Sequence, residues 1–230
     1  MRAILFDAGN TLLHLDYPWL AALARRLGAR ASADDLGRAT AEVSRMGWPA
    51  PKMQRRPTEF FEGYFGAIAE AIGLGAAAQR TFARAVEAEH LGTREGMWRR
   101  AAPDASAVLA TLQARSLLLG VVSNSDGRVE EQLAAAGLRN AFGTVVDSYV
   151  ARVEKPDPRI FRLALDRLGV GAADACYVGD LLGVDVEGAR AAGLVAYLYD
   201  PWDVHPELRE GRVRSLTALL SLAVAKEPSS

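Results

Sequence analysis

Four places in this chain carry side chains whose types and spacing could do chemistry together. The first is Asp7 with Thr11, in Ile4-Leu5-Phe6-Asp7-Ala8-Gly9-Asn10-Thr11-Leu12-Leu13. A short apolar run there reads as a buried strand, and it breaks at Ala8-Gly9-Asn10, a cluster with turn chemistry. Asp7 therefore falls at the carboxyl end of a strand, where open α/β sheets bind ligands. A carboxylate in that place can be a nucleophile, a metal ligand or a helix cap. The second feature is Ser123-Asn124, a hydroxyl ending the apolar run Leu117–Val122. The third is Lys155, two residues before a helix N-cap in Lys155-Pro156-Asp157-Pro158. The fourth is Asp180 with Asp185, in Val178-Gly179-Asp180-Leu181-Leu182-Gly183-Val184-Asp185.

If the strands are parallel, one crevice receives a nucleophile, a hydroxyl, a cation and a second carboxylate. That set suits attack on a phosphoryl group. Asp7 would attack phosphorus and form an aspartyl-phosphate, splitting one displacement into two. Asp7 and Asp180 would share Mg²⁺, a hard cation bound by one or two carboxylates plus substrate phosphate. The metal would offset repulsion between an anionic nucleophile and an anionic substrate. Ser123 and Lys155 would hold phosphate oxygens where charge grows. Backbone N–H groups from Ala8 to Thr11, and a helix start after Ser123, would add neutral donors. Asp185 would orient Lys155 or a metal-bound water.

The elements that must position these residues alternate along most of the chain. Helices are predicted at Asp104–Arg115, Asp126–Ala136, Asp157–Leu168 and Val184–Ala192, with a last one capped by Ser215. Strands are predicted at Leu117–Val122, Thr144–Val146, Ala175–Val178 and Val195–Tyr199. Alternation of this kind means βαβ units and a parallel sheet. Between the first strand and this region the pattern differs. Tyr17–Leu27, a helix opened by Ser32, one from Thr58 towards Ile72 and one at Ala76–His90 leave 15–100 purely helical, with no convincing strand. Residues 1–14 and 101–230 therefore make an α/β core with a parallel sheet, and 15–100 an inserted all-helical cap domain over the site.

Composition excludes several classes. The chain has 230 residues, a formal net charge of −1 and a single cysteine, Cys176. Near-neutral charge gives no general pull on nucleic acid or anionic membrane, and a single cysteine allows no internal disulfide. No apolar run reaches the roughly 20 residues that span a bilayer. The start of the chain is too soon acidic for a secretory signal, so a cytoplasmic location is expected. Oligomeric state is not legible.

Asp7-x-x-x-Thr11, Ser123-Asn124, Lys155-Pro156 and Gly179-Asp180-x-x-x-x-Asp185 come in the order of the four motifs of the haloacid dehalogenase (HAD) superfamily. The chain resembles that family over nearly its whole length, and 15–100 looks like its type-1 cap. The resemblance implies an HAD-like fold with a Rossmann-like core, Mg²⁺ and phosphatase activity on a small phosphorylated metabolite. It makes Asp7, Thr11, Ser123, Asn124 and Lys155 catalytic, and Asp7, Gly9, Asp180 and Asp185 the metal residues. One position departs from the pattern. Phosphatases of the family carry a second Asp two residues after the nucleophile, which protonates the leaving oxygen and then activates water. Here that residue is Gly9, which keeps a backbone carbonyl for the metal but has no acid. Asn10 follows it, and Asn tolerates the left-handed backbone such a turn needs. Three readings stay open: a slow phosphatase, a different hydrolase (a haloacid dehalogenase or a phosphonatase-like enzyme), or a phosphate-binding protein with little turnover. Gly9→Asp is expected to leave activity unchanged or raise it.

Other residues have ordinary readings. His14 could replace the missing acid, but a residue facing solvent is the simpler view. Lys52 could form a Schiff base, yet it reads as a surface lysine, and Arg55-Arg56 as a solvated face. Cys176 reads as a small hydrophobe in a buried strand. Phe60, Phe61, Tyr64 and Phe65 have helical spacing and read as cap core.

Overall fold

Four apolar residues, all buried, make the central strand β1 (Ala3–Phe6). Such a continuous run is what a parallel strand covered on both faces requires. In the structure, a computed structural model describing residues 1–47 and 57–222, β1 is flanked by two parallel neighbours. They are β4 (Leu118–Ser123) and β6 (Ala175–Gly179). Outside them lie β5 (Thr144–Asp147), β7 (Val195–Tyr199) and β8 (Arg212–Val213), giving the order β5-β4-β1-β6-β7-β8. Every pairing in this sheet is parallel. Ile4 and Phe6 face one core with helices α5 (Ala105–Ala114) and α6 (Val129–Ala135). Ala3 and Leu5 face the other, with α8 (Pro158–Leu168) and α9 (Glu187–Ala191). The period of two along β1 thus feeds two helical layers. The short helices α7 (Ser148–Ala151) and α10 (Leu219–Leu222) complete the α/β part.

Between β1 and α5, helices α1 (Tyr17–Arg26), α2 (Ala33–Arg45), α3 (Pro57–Ala71) and α4 (Ala76–Gly92) pack around a core of their own. The expectation of a purely helical stretch there is corrected in one respect. β2 (Leu13–Leu15) and β3 (Trp98–Ala101) pair antiparallel and form a ribbon at the root of the helical unit. Trp98-Arg99-Arg100-Ala101 shows neither alternation nor an apolar run, so its strand character comes from a partner far away in the chain. Arg99 and Arg100 both reach the buried Asp16 carboxylate, which also caps α1.

Two predicted helices begin differently from expectation. The one expected from Asp126 starts at Val129, because 126–127 form a bend. The one expected from Val184 opens with a π-type turn, Leu182–Val186, before α9. Strand β8, two residues long, carried no sequence signal.

Candidate active site

The sheet brings Asp7, Ser123 and Asp180 to one rim. Phe6 pairs with Val121 on one side and Val178 on the other, so the residues just beyond these are neighbours. Lys155 comes from the loop between α7 and α8 and is buried despite its charge. Its Nζ donates to Asp7 Oδ1 at 2.5 Å, Asp185 Oδ1 at 2.7 Å and the Tyr177 hydroxyl at 3.0 Å. One carboxylate oxygen each from Asp7, Asp180 and Asp185 lies within 4.8 Å of the others. Three acids and one ammonium in so small a volume leave an excess of negative charge.

The titration of the group reflects this. Burial pushes the Asp7 carboxyl up to about 6, with Lys155 pulling it down and Asp185 pushing it up. Asp180 is raised well above the usual carboxylate range by burial and by the charges of Asp7 and Asp185. Burial works against the Lys155 charge, but Asp185 and Asp7 outweigh it and raise its pKa. A divalent cation among these oxygens would relieve the repulsion, and a set of hard carboxylate donors fits Mg²⁺.

Asp185 lies in the π-type turn with its side chain directed inward. Its Oδ1 accepts from Lys155 and lies 2.9 Å from the Tyr177 hydroxyl, while Oδ2 accepts from Leu181 N–H at 2.9 Å. Both oxygens are thus engaged, which suits orienting Lys155 better than holding a metal. Asn124 is also engaged: Oδ1 accepts from Lys155 N–H at 2.8 Å and Nδ2 donates to Lys155 O at 3.0 Å. It clamps the lysine's backbone, so it acts through Lys155. Thr11 is fully buried, and its hydroxyl has no hydrogen-bond partner among the described residues. Ser123 is buried at the end of β4.

Two expected sets of backbone donors are reduced. Asn10 N–H is taken by Leu13 O at 2.7 Å, Thr11 N–H faces Ala8 O at 3.4 Å, and Ala8 N–H donates to the Asp7 carboxylate. At the start of α6, Gly127 and Val129 N–H both point to Asp147 Oδ2, at 3.0 and 3.4 Å. That carboxylate occupies the helix start that a phosphate was expected to use.

Gly9 lies beneath an aromatic ring. A Cβ built on it would sit 3.3 Å from both Cδ1 and Nε1 of Trp98. Asn10 has the left-handed backbone expected of it, φ 58°. Its side chain accepts from Trp98 Nε1 at 3.2 Å and donates to Asp180 Oδ2 at 3.4 Å. The same amide approaches the Tyr64 hydroxyl at 3.5 Å, which in turn lies 3.1 Å from Ser44 Oγ. His14 does not face open solvent. It lines a cleft of about 420 Å³, solvent-open part included, with Asn10, Asp180, Tyr17 and Tyr199. Its ring rests between those two tyrosines, and burial lowers its pKa. Lys52 and Arg55-Arg56 lie outside the described residues. Cys176 is buried in β6, with its thiol pushed up to about 12 by burial.

With this geometry in hand, the sequence matches the haloacid dehalogenase-like hydrolases over residues 1–193. The chain belongs to that family. The HAD-like chain is 40% identical over 121 residues to a phosphoserine phosphatase of Thermus thermophilus, covering 50% of this chain and 49% of that one. It is 30% identical over 195 residues to an (S)-2-haloacid dehalogenase 4A of Burkholderia cepacia, covering 77% and 74%. Against the first curated relatives it matches, this HAD-like chain spans about half their length or less. A solved HAD phosphatase from Thermococcus onnurineus shares the fold, with TM-score 0.62 and 24% identity over 98% of this chain and 99% of that one.

Sequence reading had not singled out Tyr177, Asp147, Trp98 or the Asn10 side chain. Tyr177 sits within the apolar strand Ala175–Gly179, where a tyrosine reads as core. A buried tyrosine hydroxyl needs a partner, and that was the one available signal.

Proposed function

We propose that this chain is a Mg²⁺-dependent phosphatase acting on a small phosphorylated metabolite through an aspartyl-phosphate on Asp7. The observation that carries the reading is the cluster of Asp7, Asp180 and Asp185 around the buried Lys155 ammonium. Asp7 and Asp180, with the Gly9 carbonyl, would hold the metal. Once bound, it supplies positive charge against which an anionic nucleophile and an anionic phosphoryl group can approach. Asp7 attacks phosphorus. Lys155, fixed by Asn124 and Asp185, and Ser123 stabilise the phosphoryl oxygens as their charge grows. The partnerless Thr11 hydroxyl is a buried donor that a bound phosphoryl oxygen would satisfy. The helical unit serves as the cap, closing over the rim and setting specificity.

A second reading, a haloacid dehalogenase, is favoured by the relative that covers 77% of the chain. It leaves Asp180 without a metal to hold, since a halide leaving group calls for no cation. The test is a phosphate-ester screen with and without Mg²⁺, beside Asp7→Asn as a blank. Expected is turnover lost on chelation and absent in Asp7→Asn. Activity insensitive to EDTA, or release of halide from 2-haloacids, would overturn the phosphatase reading.

A further inference from the structure

The indole of Trp98 stands where the side chain of residue 9 would project. At 3.3 Å from the Cβ position it is tighter than an ordinary contact, so a side chain at residue 9 requires the ring to give by a few tenths of an ångström. The ring is held from several sides. Nε1 donates to Asn10, and its centroid lies 6.4, 6.1 and 5.9 Å from those of Phe60, Phe65 and His90. Gly9 and Trp98 are therefore in close contact, and a packed ring stands over the position of the missing acid. Among the described residues, neither Lys155, Tyr64 nor His14 takes its place. Lys155 is bound by Asp7, Asp185 and Tyr177. The Tyr64 hydroxyl is bonded to Ser44 and pushed up to about 12 by burial. His14 stands in the neighbouring cleft between two tyrosines, lowered by burial into its neutral form near pH 7.

We propose that Trp98 closes the acid position over Gly9, so that the site takes phosphoryl compounds whose leaving oxygen departs without a proton. These are acyl and aryl phosphates, whose leaving oxygens are weakly basic, rather than phosphate esters of simple alcohols. This rests on the phosphatase reading and narrows its substrate class. In the first step an Asp7 oxygen bonds to phosphorus. The bond from phosphorus to the leaving oxygen breaks, and its electron pair leaves with a carboxylate or aryloxide anion. In the second step water bonds to phosphorus and the aspartyl oxygen–phosphorus bond breaks, restoring the Asp7 carboxylate. Both hydrogens of the water stay on the inorganic phosphate released. Neither step asks residue 9 to move a proton.

The experiment compares kcat/KM for acetyl phosphate and a series of substituted phenyl phosphates with that for glycerol phosphate and O-phosphoserine. General acid catalysis is worth about 10²–10⁴-fold, so the alkyl esters should lag by that order, with rates among phenyl phosphates falling as the phenol becomes more basic. Trp98→Ala should leave this dependence steep, whereas Gly9→Asp in the Trp98→Ala background should raise alkyl ester turnover selectively. Circular dichroism and thermal melting confirm that both variants fold, and the substrate series on the unaltered protein stands without them. Equal kcat/KM for phenyl and alkyl phosphates would overturn the proposal while leaving the phosphatase reading in place. A dependence that is flat in the native protein and becomes steep in His14→Ala or Tyr64→Phe would overturn it too, placing the acid on that residue. No turnover of any of these compounds with Mg²⁺ would instead defeat the phosphatase reading itself.

Discussion

Lys155 is the residue on which the charge balance of the site depends. Its ammonium sits between Asp7 and Asp185 in the protein interior, where water screens little. Truncation to Ala leaves both carboxylates buried without that partner, and breaking a buried pair in this way costs about 3–5 kcal/mol. Urea denaturation at pH 7 should show that loss, and at pH 5 a smaller one. The sign follows from Asp7, already pushed up to about 6: at pH 5 it is protonated and leaves less charge stranded. Asp7→Asn should act in the opposite sense on stability. It removes one of three crowded acids while Lys155 keeps Asp185, so the melting temperature of the metal-free protein should hold or rise as turnover vanishes. Gly9→Asp alone, expected from sequence to be neutral or beneficial, now has to displace Trp98 and should lower the melting temperature. The convergence of Asp7, Lys155, Asp180 and Asp185 was legible because each stands at a strand end or helix start. The commitment of Asn124 to the Lys155 backbone was not, since an amide after a strand has many possible partners.

Elements place these residues through local signals of unequal strength. Helix α2 opens on a full capping box, with Ser32 Oγ accepting from Asp35 N–H at 3.1 Å and Asp35 Oδ2 accepting from Ser32 N–H at 2.9 Å. Ser32→Ala should cost about 1 kcal/mol of stability by chemical denaturation, with kcat unchanged. Helix α8 likewise reads straight from sequence: Asp157 caps it, Pro158 opens it and Gly169 closes it in left-handed backbone, φ 65°. The π-type turn at Leu182–Val186 has no such signature. It arises because Asp185 is drawn inward to Lys155, Tyr177 and Leu181, and the widened turn satisfies that carboxylate. The ribbon of β2 and β3 was hidden for a related reason. Strands of three and four residues carry little periodicity, and theirs is stabilised by Asp16 and two arginines rather than by apolar pattern.

At the scale of the whole molecule, described residues tie the helical unit to the sheet at several places, three of them central. One is the ribbon with Trp98. Another is the packing of Trp202 on α2, where a Cβ at Gly37 would fall 2.1 Å from the indole. The third joins His90 of α4 to Asp126 and Arg128 beside the Ser123 loop. Metal binding should register on this scale as stability. In the metal-free protein Asp7 is raised from 3.8 to about 6, so between those values the folded state keeps a proton that the unfolded chain has lost. Its contribution to stability is present below about 4 and is lost as pH rises through about 6. Mg²⁺ competes with that proton, so the rise in melting temperature it produces should be larger at pH 7.5 than at pH 5. Differential scanning fluorimetry with Mg²⁺ and with EDTA at both values checks this. Among the described residues, no helix is long and apolar enough to cross a membrane.

By itself the sequence determined the alternating α/β order, the inserted helices and the acids and lysine that meet at the rim. Those features are written in short windows: apolar runs, caps, and polar residues at the ends of strands. Tertiary structure alone decided what fills the space over Gly9, which backbone donors remain free, and which acid orients the lysine. Trp98 and Asn10 lie 88 residues apart, and their hydrogen bond exists because a ribbon without local signature folds back onto the first turn. A glycine in a motif shows only that a side chain is absent. What occupies its place depends on the packing of distant segments, and here that packing turns a missing acid into a closed one.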